Sequence, residues 1–538
     1  MKALKPIFAF LILTASAWSQ VNLGTYNGCT ATDAQFVRTQ ISTGNSQPLK
    51  MAFDLQANNV VDVYFTQKGG QLKKITGSTG VTSIIGTVPT QTGNEDGLIG
   101  IALDPAFKTN RNIFLYYAFN GTTESSFRLS RFTLTVAGAL DLTSEKILIK
   151  IPSVRGRWHT SGAMQFDAYG DLWETIGDNE EQENGPANTA DMRGGIIRIH
   201  PDNSAKGYSI PAGNFGAAMA ARYATSNPTL AAQYADPAKV LPEIYVKGTR
   251  NAYTITLDPV RRWVTWGDVG PDQGQVSEEY NLEKAPDYMG WPYFAGSQSM
   301  GGVTPYGNVG QPAIPNGIVK TAPINNFAGL TGVRNLPAVN DPIYAKNESC
   351  AMSGPIFRYN GANSNSADQF PPQMNRKWFL ADCNGGATGY GYHMITLNAT
   401  GDAITADQRI WAGYPADVLT DMEMGPEGAF YIAQQGSGRI DKIAYTGTCA
   451  DANLLLEQPT SLTSRPATPE WLKVGSRTIS IVTPGPHSIR ISDLQGRTVL
   501  KLSGDGVQTH SLPVRDAGVY YLTVTSSKGT ATSVLPPF

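Results

Sequence analysis

One strand–turn–strand pattern recurs along most of the chain and limits the folds open to it. Each copy has a strand of alternating apolar residues, a polar turn with Asp, Pro or Gly, and a strand rich in aromatic residues. The copies start at Met51, Ile101, Met164, Ile255, Ile356 and Met422, and the second strand of the fifth copy starts at Lys377. Alternation on either side of turn residues predicts antiparallel β-hairpins.

Six irregularly spaced copies favour an all-β fold, because a ring of similar sheets hides most sheet edges. One or two β-sandwiches are the alternative, but no compositional break separates Met51 from Met422. The 56 Gly and 34 Pro also suit many short strands joined by tight turns. We therefore predict a six-bladed β-propeller over residues 24–449.

Two long segments between the copies, 183–240 and 293–350, are rich in Gly, Pro, Asn and Ala. Insertions of this length in a repeat fold usually lie on one face and often carry functional residues. Within the first of them, the stretch AAMAARYATSNPTLAAQYA from Ala217 is compatible with short helices.

The composition changes after Cys449. Residues 450–472 are rich in Pro, Ser and Thr, and we interpret them as a linker. Residues 473–538 contain the hairpin patterns HSIRISDLQGRTVLKL and GVYYLTVTSSKGTATSVLP. Two such hairpins in so short a segment predict a small C-terminal β-sandwich.

The first residues, 1–19, have the pattern of a secretory signal peptide. Lys2 and Lys5 precede an apolar run from Ile7 to Ala15, and small residues follow. The run is too short to span a bilayer, so we expect an exported protein with no transmembrane segment. The net charge of −2 gives no reason to expect nucleic-acid binding.

Four cysteines fit an exported protein with two disulfides. Three connectivities are possible among Cys29, Cys350, Cys383 and Cys449. We favour 29–449, which brackets the predicted propeller, and 350–383, whose members are close in sequence. The absence of a C-x-x-C motif makes a thiolate metal site improbable.

His159 is the first candidate for chemistry, because it directly precedes a predicted blade strand and so belongs to a loop at one rim. A neutral imidazole in such a loop can act as a general base, although a loop histidine bonded to backbone is the simpler alternative. The motifs of zinc hydrolases, serine hydrolases, P-loop enzymes and Rossmann enzymes are absent.

A second candidate cluster runs from Val246 to Pro292. Arg250 and Asn251 combine a planar cation with an amide, which suits carboxylates or quinone oxygens. The turn at Gly270 and Pro271 offers carbonyl groups to a hard cation, and a pair of glutamates that includes Glu279 follows. A solvated surface loop is the alternative.

Five sets of residues stand out in order along the chain: NEDGLIGIALDPAF from Asn94, His159 with Gly177-Asp178, GTRN from Gly248, the GP…EYN…GWP stretch from Gly270, and SCAMSG from Ser349 with LADC from Leu380. Over roughly residues 48–445, these segments resemble the glucose/sorbosone dehydrogenase family of soluble pyrroloquinoline quinone (PQQ)-dependent enzymes. The last pair is similar to a cysteine pair of one branch of relatives.

The resemblance implies PQQ across the central opening, Ca²⁺ bound to it, and a sugar substrate. It implies that His159 removes the hydroxyl proton and that Arg250 stabilises charge on the quinone. Asn251 would position PQQ, and Glu95 would lie near sugar or cofactor. Gly270 and Pro271 would hold Ca²⁺, with Glu279 at a structural Ca²⁺ position. No haem motif is present, so the electron acceptor is external and unidentified.

The C-terminal segment resembles the sorting domains of the type IX secretion pathway, through ISDLQGR from Ile491 and AGVYYL from Ala517. The resemblance implies type IX-like secretion machinery as a partner. A generic adhesion-like sandwich shares the same pattern.

Two other functions stay open. Family enzymes place Lys and Arg late in the chain to bind the PQQ carboxylates, but the segment GYPADVLTDMEMG has neither. This difference favours a non-catalytic propeller that binds a carbohydrate or protein at the cell surface. A Ca²⁺-dependent propeller hydrolase such as a lactonase shares the architecture, but the motifs argue against it.

Overall fold

The computed structural model describes residues 21–271, 277–347, 350–361, 368–384, 391–411, 414, 417–454, 472–474, 478–493, 498–511 and 520–535. The predicted signal peptide, residues 1–19, lies outside these residues. So does most of the predicted linker.

Nearly all regular structure between residues 22 and 201 is antiparallel β-sheet. The chain begins with β1 (Asn22–Tyr26), β2 (Cys29–Thr32) and β3 (Phe36–Ser42). The first sheet has β4 (Pro48–Leu55), β5 (Val61–Gln67), β6 (Gln71–Thr76) and β7 (Val81–Thr87). The second has β8 (Leu98–Leu103), β9 (Asn112–Ala118), β10 (Ser126–Leu134) and β11 (Leu140–Pro152). The third starts with β12 (Ser161–Phe166), β13 (Leu172–Ile176) and β14 (Gly195–Pro201).

The same pattern continues to residue 445. The third sheet adds β15 (Tyr208–Ser209) and β16 (Ile244–Lys247). The fourth has β17 (Ala252–Leu257), β18 (Val264–Asp268), β19 (Glu278–Glu283) and β22 (Tyr344–Lys346), after the hairpin of β20 (Phe294–Ala295) and β21 (Gln298–Ser299). The fifth has β23 (Ala351–Ile356), β24 (Lys377–Asp382), β25 (Tyr392–Leu397) and β26 (Ile404–Ile410). The sixth has β27 (Leu419–Met424), β28 (Phe430–Gln434) and β29 (Arg439–Tyr445), with β3 as its outer strand.

The first strands of these sheets form a closed ring within the described residues. Each of β4, β8, β12, β17 and β23 contacts the first strand of the next sheet, and β27 contacts β4. The second strands carry the largest buried side chains, including Trp173, Trp266 and Trp378 in the third, fourth and fifth sheets. These aromatic residues fill the space between neighbouring sheets, which explains the aromatic-rich second strand of the sequence pattern. The all-β prediction is thus confirmed.

The two ends of the ring are joined twice. Strand β3 pairs with β29, with Phe36 opposite Tyr445 and Ser42 opposite Ile440. A disulfide joins Cys29 to Cys449, with their Cα atoms 5.6 Å apart. The second disulfide joins Cys350 to Cys383, with Cα atoms 5.3 Å apart, so the favoured connectivity is confirmed.

The two long insertions pack together into a cap with a core of its own. The first contains α2 (Phe215–Tyr223) and α3 (Pro228–Ala235), as the sequence predicts, whereas the short α1 (Phe107–Asn110) lies in the second sheet's hairpin. Phe215 and Tyr234 pack in one cluster with Tyr306 of the second insertion and with Trp291, which lies just before it. Short 3₁₀ turns occur at Asp33–Gln35, Ala57–Asn59, Gly307–Val309 and Pro372–Met374. The cap matters because it delivers side chains to the candidate site.

The C-terminal segment has two sheets. One has β30 (Leu472–Val474), β31 (Thr478–Ile481) and β34 (Gln508–Ser511), and the other has β32 (Pro486–Asp493), β33 (Thr498–Asp505), β35 (Tyr520–Ser526) and β36 (Gly529–Leu535). Ile479 of the first sheet shares a buried cluster with Ile489 and Leu522 of the second. Among the described residues of the whole chain, no helix is long and apolar enough to cross a bilayer.

Candidate functional site

A cavity of about 490 Å³ opens at one end of the ring. It is lined by Glu95, Trp158, His159, Glu180, Arg250, Asn251, Val269, Pro305, Tyr306 and Asn308. Most of these residues lie just before the first strand of a sheet or just after its second strand. Because neighbouring strands are antiparallel, the start of the first strand and the end of the second lie at the same end of the sheet. The volume falls within the roughly 300–1,000 Å³ of small-molecule sites. The predicted residues Glu95, His159, Arg250 and Asn251 are therefore brought together.

His159 is held by a buried carboxylate. Its Nδ1 lies 2.9 Å from Oδ1 of Asp178, which is fully buried. A carboxylate can only accept a hydrogen bond, so Nδ1 donates and Nε2 is left as the nitrogen that can take up a proton. Asp178 also accepts bonds from the Trp291 indole at 2.8 Å and the Tyr306 hydroxyl at 2.7 Å. Burial alone would raise the pKa of Asp178, but His159 and the Arg250 charge hold it below its usual value.

The backbone around His159 is strained. His159, Ser161, Asn179 and Glu180 all have φ between 51° and 63°, in the left-handed region. Gly177 has to be glycine here, because a Cβ atom would lie 2.1 Å from the carbonyl oxygen of His159. Each left-handed non-glycine residue costs about 1–3 kcal/mol, and such residues cluster at functional sites. The two strained loops fix the imidazole against its carboxylate.

Arg250 and Asn251 are held by another buried carboxylate. Both backbone N–H groups donate to Asp268, at 2.9 Å and 2.7 Å. The Arg250 Nη1 donates to the Val269 carbonyl at 2.8 Å, and the guanidinium lies 5.7 Å from the Tyr306 ring centre. The Asn251 side-chain oxygen accepts a bond from the Ser161 hydroxyl at 2.8 Å. The cation and the amide are therefore fixed in place at the wall of the cavity.

Two carboxylates that line the cavity accept hydrogen bonds from the backbone of the residues before and after His159. Oε2 of Glu95 accepts a bond from the Thr160 N–H at 2.9 Å, and Oε2 of Glu180 accepts one from the Trp158 N–H at 3.3 Å. Trp158 itself is 48% exposed. The base is thus flanked by two acceptors and a half-exposed indole.

The predicted Ca²⁺ ligands Gly270, Pro271 and Glu279 do not line this cavity. Gly270 donates its N–H to Glu278 at 3.1 Å, and Glu279 accepts a bond from the Gly296 N–H. Burial raises the pKa of Glu278 to about 7, and burial together with the nearby Asp268 raises the pKa of Glu279 to about 8. Burial thus favours the protonated forms of these two acids, whereas a bound divalent cation would favour the ionised forms. Among the described residues, however, no group of three or more His, Cys, Asp or Glu side chains has the arrangement of a metal site.

Sequence reasoning gave no role to Asp178, Trp291 or Tyr306. Asp178 and Trp291 lie within motifs that resemble the family's, so a search for the carboxylate partner of His159 could have found Asp178. Tyr306 lies in an insertion without a recognisable motif, and only the packing of the cap brings it to the site.

Comparison with known proteins agrees with the fold. The family model of the glucose/sorbosone dehydrogenases matches residues 46–442. The chain belongs to this family. An uncharacterised protein of Synechocystis sp. is 23% identical over 399 residues, covering 70% of this chain and 80% of its own length. The apo-form crystal structure of the soluble aldose sugar dehydrogenase of Escherichia coli has a TM-score of 0.53 and 18% identity, covering 76% of this chain and 99% of that one. At this identity the structural likeness supports the fold.

Proposed function

We propose that this chain is an exported oxidoreductase that oxidises a hydroxyl group of a sugar, with PQQ and Ca²⁺ as cofactors. The observation that carries the proposal is the His159–Asp178 pair beside Arg250 and Asn251 at one cavity, 2.9 Å separating the imidazole from its carboxylate. Membership in the glucose/sorbosone dehydrogenase family supports oxidoreductase chemistry on a sugar.

The donor set fits the carbonyl edge of a quinone. Arg250 donates in a fixed fork and Asn251 adds an amide, which together suit two neighbouring quinone oxygens. PQQ also carries three carboxylates. Among the described residues Arg250 is the one Lys or Arg that lines the cavity, and the undescribed residues between 271 and 454 include neither. The cavity residues therefore fit the quinone oxygens of PQQ well and its three carboxylates less well.

His159 would act as the general base. Its Nε2 takes the proton of a sugar hydroxyl, while Asp178 keeps the ring oriented and stabilises the imidazolium that forms. Loss of that proton lets the carbon-bound hydrogen leave with its electron pair, so the alcohol becomes a carbonyl. PQQ, when bound, would supply the hydride acceptor. The Gly270 and Pro271 carbonyls would hold the Ca²⁺ that supplies Lewis acidity, and Glu279 would belong to a structural Ca²⁺ position.

Arg250 would stabilise negative charge that develops on a quinone oxygen. Its guanidinium is held by the Val269 carbonyl and lies over two aromatic rings, so it needs no rearrangement as charge develops. Preorganised donors of this kind are usually a large part of catalysis.

The test is dye reduction by the purified protein with added PQQ and Ca²⁺, over aldoses, oligosaccharides and sugar alcohols. We expect His159→Ala to lower kcat by about 10²–10⁴-fold. His200→Ala is a matched control, because His200 also lies 2.9 Å from an aspartate, Asp171, but outside the cavity. Equal loss in both variants, or full activity in His159→Ala, would contradict the assignment.

The second candidate is a non-catalytic propeller that binds a carbohydrate or protein. Among the described residues that line the cavity, Arg250 is the one Lys or Arg, and this favours the second candidate because a tricarboxylate needs more positive partners. Calorimetry separates the two: sugar binding without PQQ binding and without dye reduction would support the second candidate.

We also propose that residues 473–538 direct export through type IX-like secretion machinery. Fusing residues 450–538 behind a signal peptide and a fluorescent protein tests this in a bacterium with that machinery. Surface or medium fluorescence supports the proposal, and periplasmic retention contradicts it.

A further inference from the structure

The C-terminal segment has two histidines that meet across the gap between its sheets. His487 lies on β32 and His510 on β34, so the two residues belong to different sheets. Their Nε2 atoms are 2.7 Å apart, and their ring planes are nearly perpendicular, at 82°. His159, His200 and His393 each contact an aspartate instead. Among the described residues, this pair is therefore the one place where two imidazole nitrogens meet.

The two rings occupy positions that a small two-sheet fold usually fills with apolar side chains. His487 is 4% exposed, and by strand alternation it points to the same side as the core residues Ile489 and Ile491. His510 pairs with Ile479, another core residue. A buried polar group costs free energy without a partner, and the Nδ1 of His487 has none among the described residues. Apolar packing therefore does not explain the pair.

A third donor atom lies beside the pair, above Gly504. Gly504 is directly opposite His487 in the sheet. A Cβ atom on Gly504 would lie 2.6 Å from the Nε2 of His487 and 2.0 Å from the Oε1 of Gln508, so both atoms border the space that the missing side chain leaves. Gln508 is exposed, which opens this space to solvent. Two imidazole nitrogens and one amide oxygen thus surround a cradle that dissolved ions can reach.

We propose that this cradle binds a first-row transition metal ion such as Zn²⁺ or Cu²⁺, with His487 and His510 as ligands. Imidazole nitrogen suits these ions, whereas Mg²⁺ and Ca²⁺ prefer oxygen ligands. Bonds of about 2.0–2.1 Å in a tetrahedral site place two nitrogens roughly 3.3 Å apart, so the rings need to separate by only about 0.6 Å. Gln508 and water complete the coordination.

The bound ion joins the two sheets of the C-terminal segment. Because β32 and β34 belong to different sheets, one ion held by both strands is a cross-link between them. The buried core of this segment is small, and small folds gain stability from a structural metal. The inference concerns this segment alone and depends neither on sugar oxidation nor on secretion.

Calorimetric titration with Zn²⁺ tests the site, using the full chain purified without a histidine tag. Excess Ca²⁺ in the buffer occupies sites built from oxygen ligands. We expect about 100-fold weaker binding in His510→Ala, because loss of a ligand costs at least as much as the 10–100-fold of an outer-shell change. His200→Ala and His393→Ala, which remove other imidazoles, are the controls and should bind Zn²⁺ normally. No binding by the native chain, or equal binding by His510→Ala, would overturn the proposal.

A second variant, Gly504→Ala, keeps both imidazoles and fills the cradle. We expect it to bind Zn²⁺ about tenfold more weakly, because the new methyl group occupies the space of the ion. Circular dichroism shows whether each variant is folded, and Gly504→Ala tests the site even where His510→Ala does not fold. Unchanged affinity in a folded Gly504→Ala would contradict a site at this place.

The electron paramagnetic resonance spectrum of bound Cu²⁺ identifies the ligands directly. We expect nitrogen splitting from two imidazoles in the native chain and from one in His510→Ala. The same spectrum in both proteins, or a native spectrum without nitrogen splitting, would show that the ion binds elsewhere and would overturn the assignment.

Discussion

Asp178 is the residue on which most of the candidate site depends. Its carboxylate joins His159 to the Trp291 and Tyr306 side chains, while its own N–H donates to the Arg250 carbonyl at 2.8 Å. A single buried residue thus connects the third sheet, the loop before the fourth sheet and the cap. Changes at Asp178 should therefore affect the chemistry more than substrate binding.

We expect Asp178→Asn to lower kcat by about 10²–10⁴-fold with a small effect on KM. An amide of the same shape can hold the wrong imidazole tautomer and cannot stabilise the imidazolium. Steady-state kinetics over a pH range measures the effect. Asp171→Asn, at the equivalent partner of His200, is the control. A large rise in KM with normal kcat would contradict the role.

Substitution of Arg250 is the most direct test of PQQ binding. We expect Arg250→Ala to weaken PQQ binding about 10–100-fold, because a charge-assisted hydrogen bond is lost. Binding by the native protein should also weaken as salt rises toward about 0.5 M. Quenching of tryptophan fluorescence during a PQQ titration measures both without any turnover. Arg131→Ala, whose guanidinium donates to the Asp202 carbonyl away from the cavity, should bind normally.

At the scale of elements, strand patterns were predictable and the cap was not. The hairpins starting at Met51, Ile101 and Met164 follow from period-two alternation, which is a local property. Tyr306 reaches the cavity only through the packing of two insertions far apart in sequence. Similarly, the pairing of β3 with β29 depends on closure of the whole ring. Local pattern therefore predicts the sheets, and tertiary contacts complete the site.

Strand β13 carries an unusual buried acid. Glu174 is fully buried, and neither of its carboxylate oxygens has a hydrogen-bond partner among the described residues. Burial raises its pKa well above the usual value. The unfolded chain therefore releases this proton at lower pH than the folded protein does, so stability falls as pH rises above the unfolded pKa of Glu174.

We expect Glu174→Gln to stabilise the protein near pH 7 by about 1–3 kcal/mol, because the neutral amide removes the cost of keeping an acid protonated or burying its charge. Near pH 4 the acid is protonated in both states, so the difference should largely disappear. Chemical denaturation at the two pH values measures this. The same difference in unfolding free energy at pH 4 and pH 7 would show that the shape of the side chain, and not its ionisation, is responsible.

At the scale of the whole molecule, the ring is held by the joint between its ends. The Cys29–Cys449 disulfide spans 420 residues, whereas Cys350–Cys383 spans 33. In the chain-entropy account, a cross-link restricts the unfolded chain more when it closes a longer loop. The two bridges should therefore differ in their effect on stability.

We expect the double variant Cys29→Ser, Cys449→Ser to lose about 2–5 kcal/mol of unfolding free energy, and Cys350→Ser, Cys383→Ser to lose less. Denaturation monitored by fluorescence compares the two under the same buffer. A larger loss of unfolding free energy in Cys350→Ser, Cys383→Ser would show that local packing around Cys350 contributes more to stability than loop length does.

The family model matches residues 46–442. This range does not include β3 or the disulfide-bonded pair Cys29 and Cys449. A fragment trimmed to those limits would lose the last three residues of β29 (Arg439–Tyr445) and its partner β3, and would leave an unpaired sheet edge, a known template for aggregation. Expression of the propeller alone should therefore start ahead of Asn22 and continue past Cys449. Insolubility of the shorter fragment would then report a missing partner strand and not a defective core.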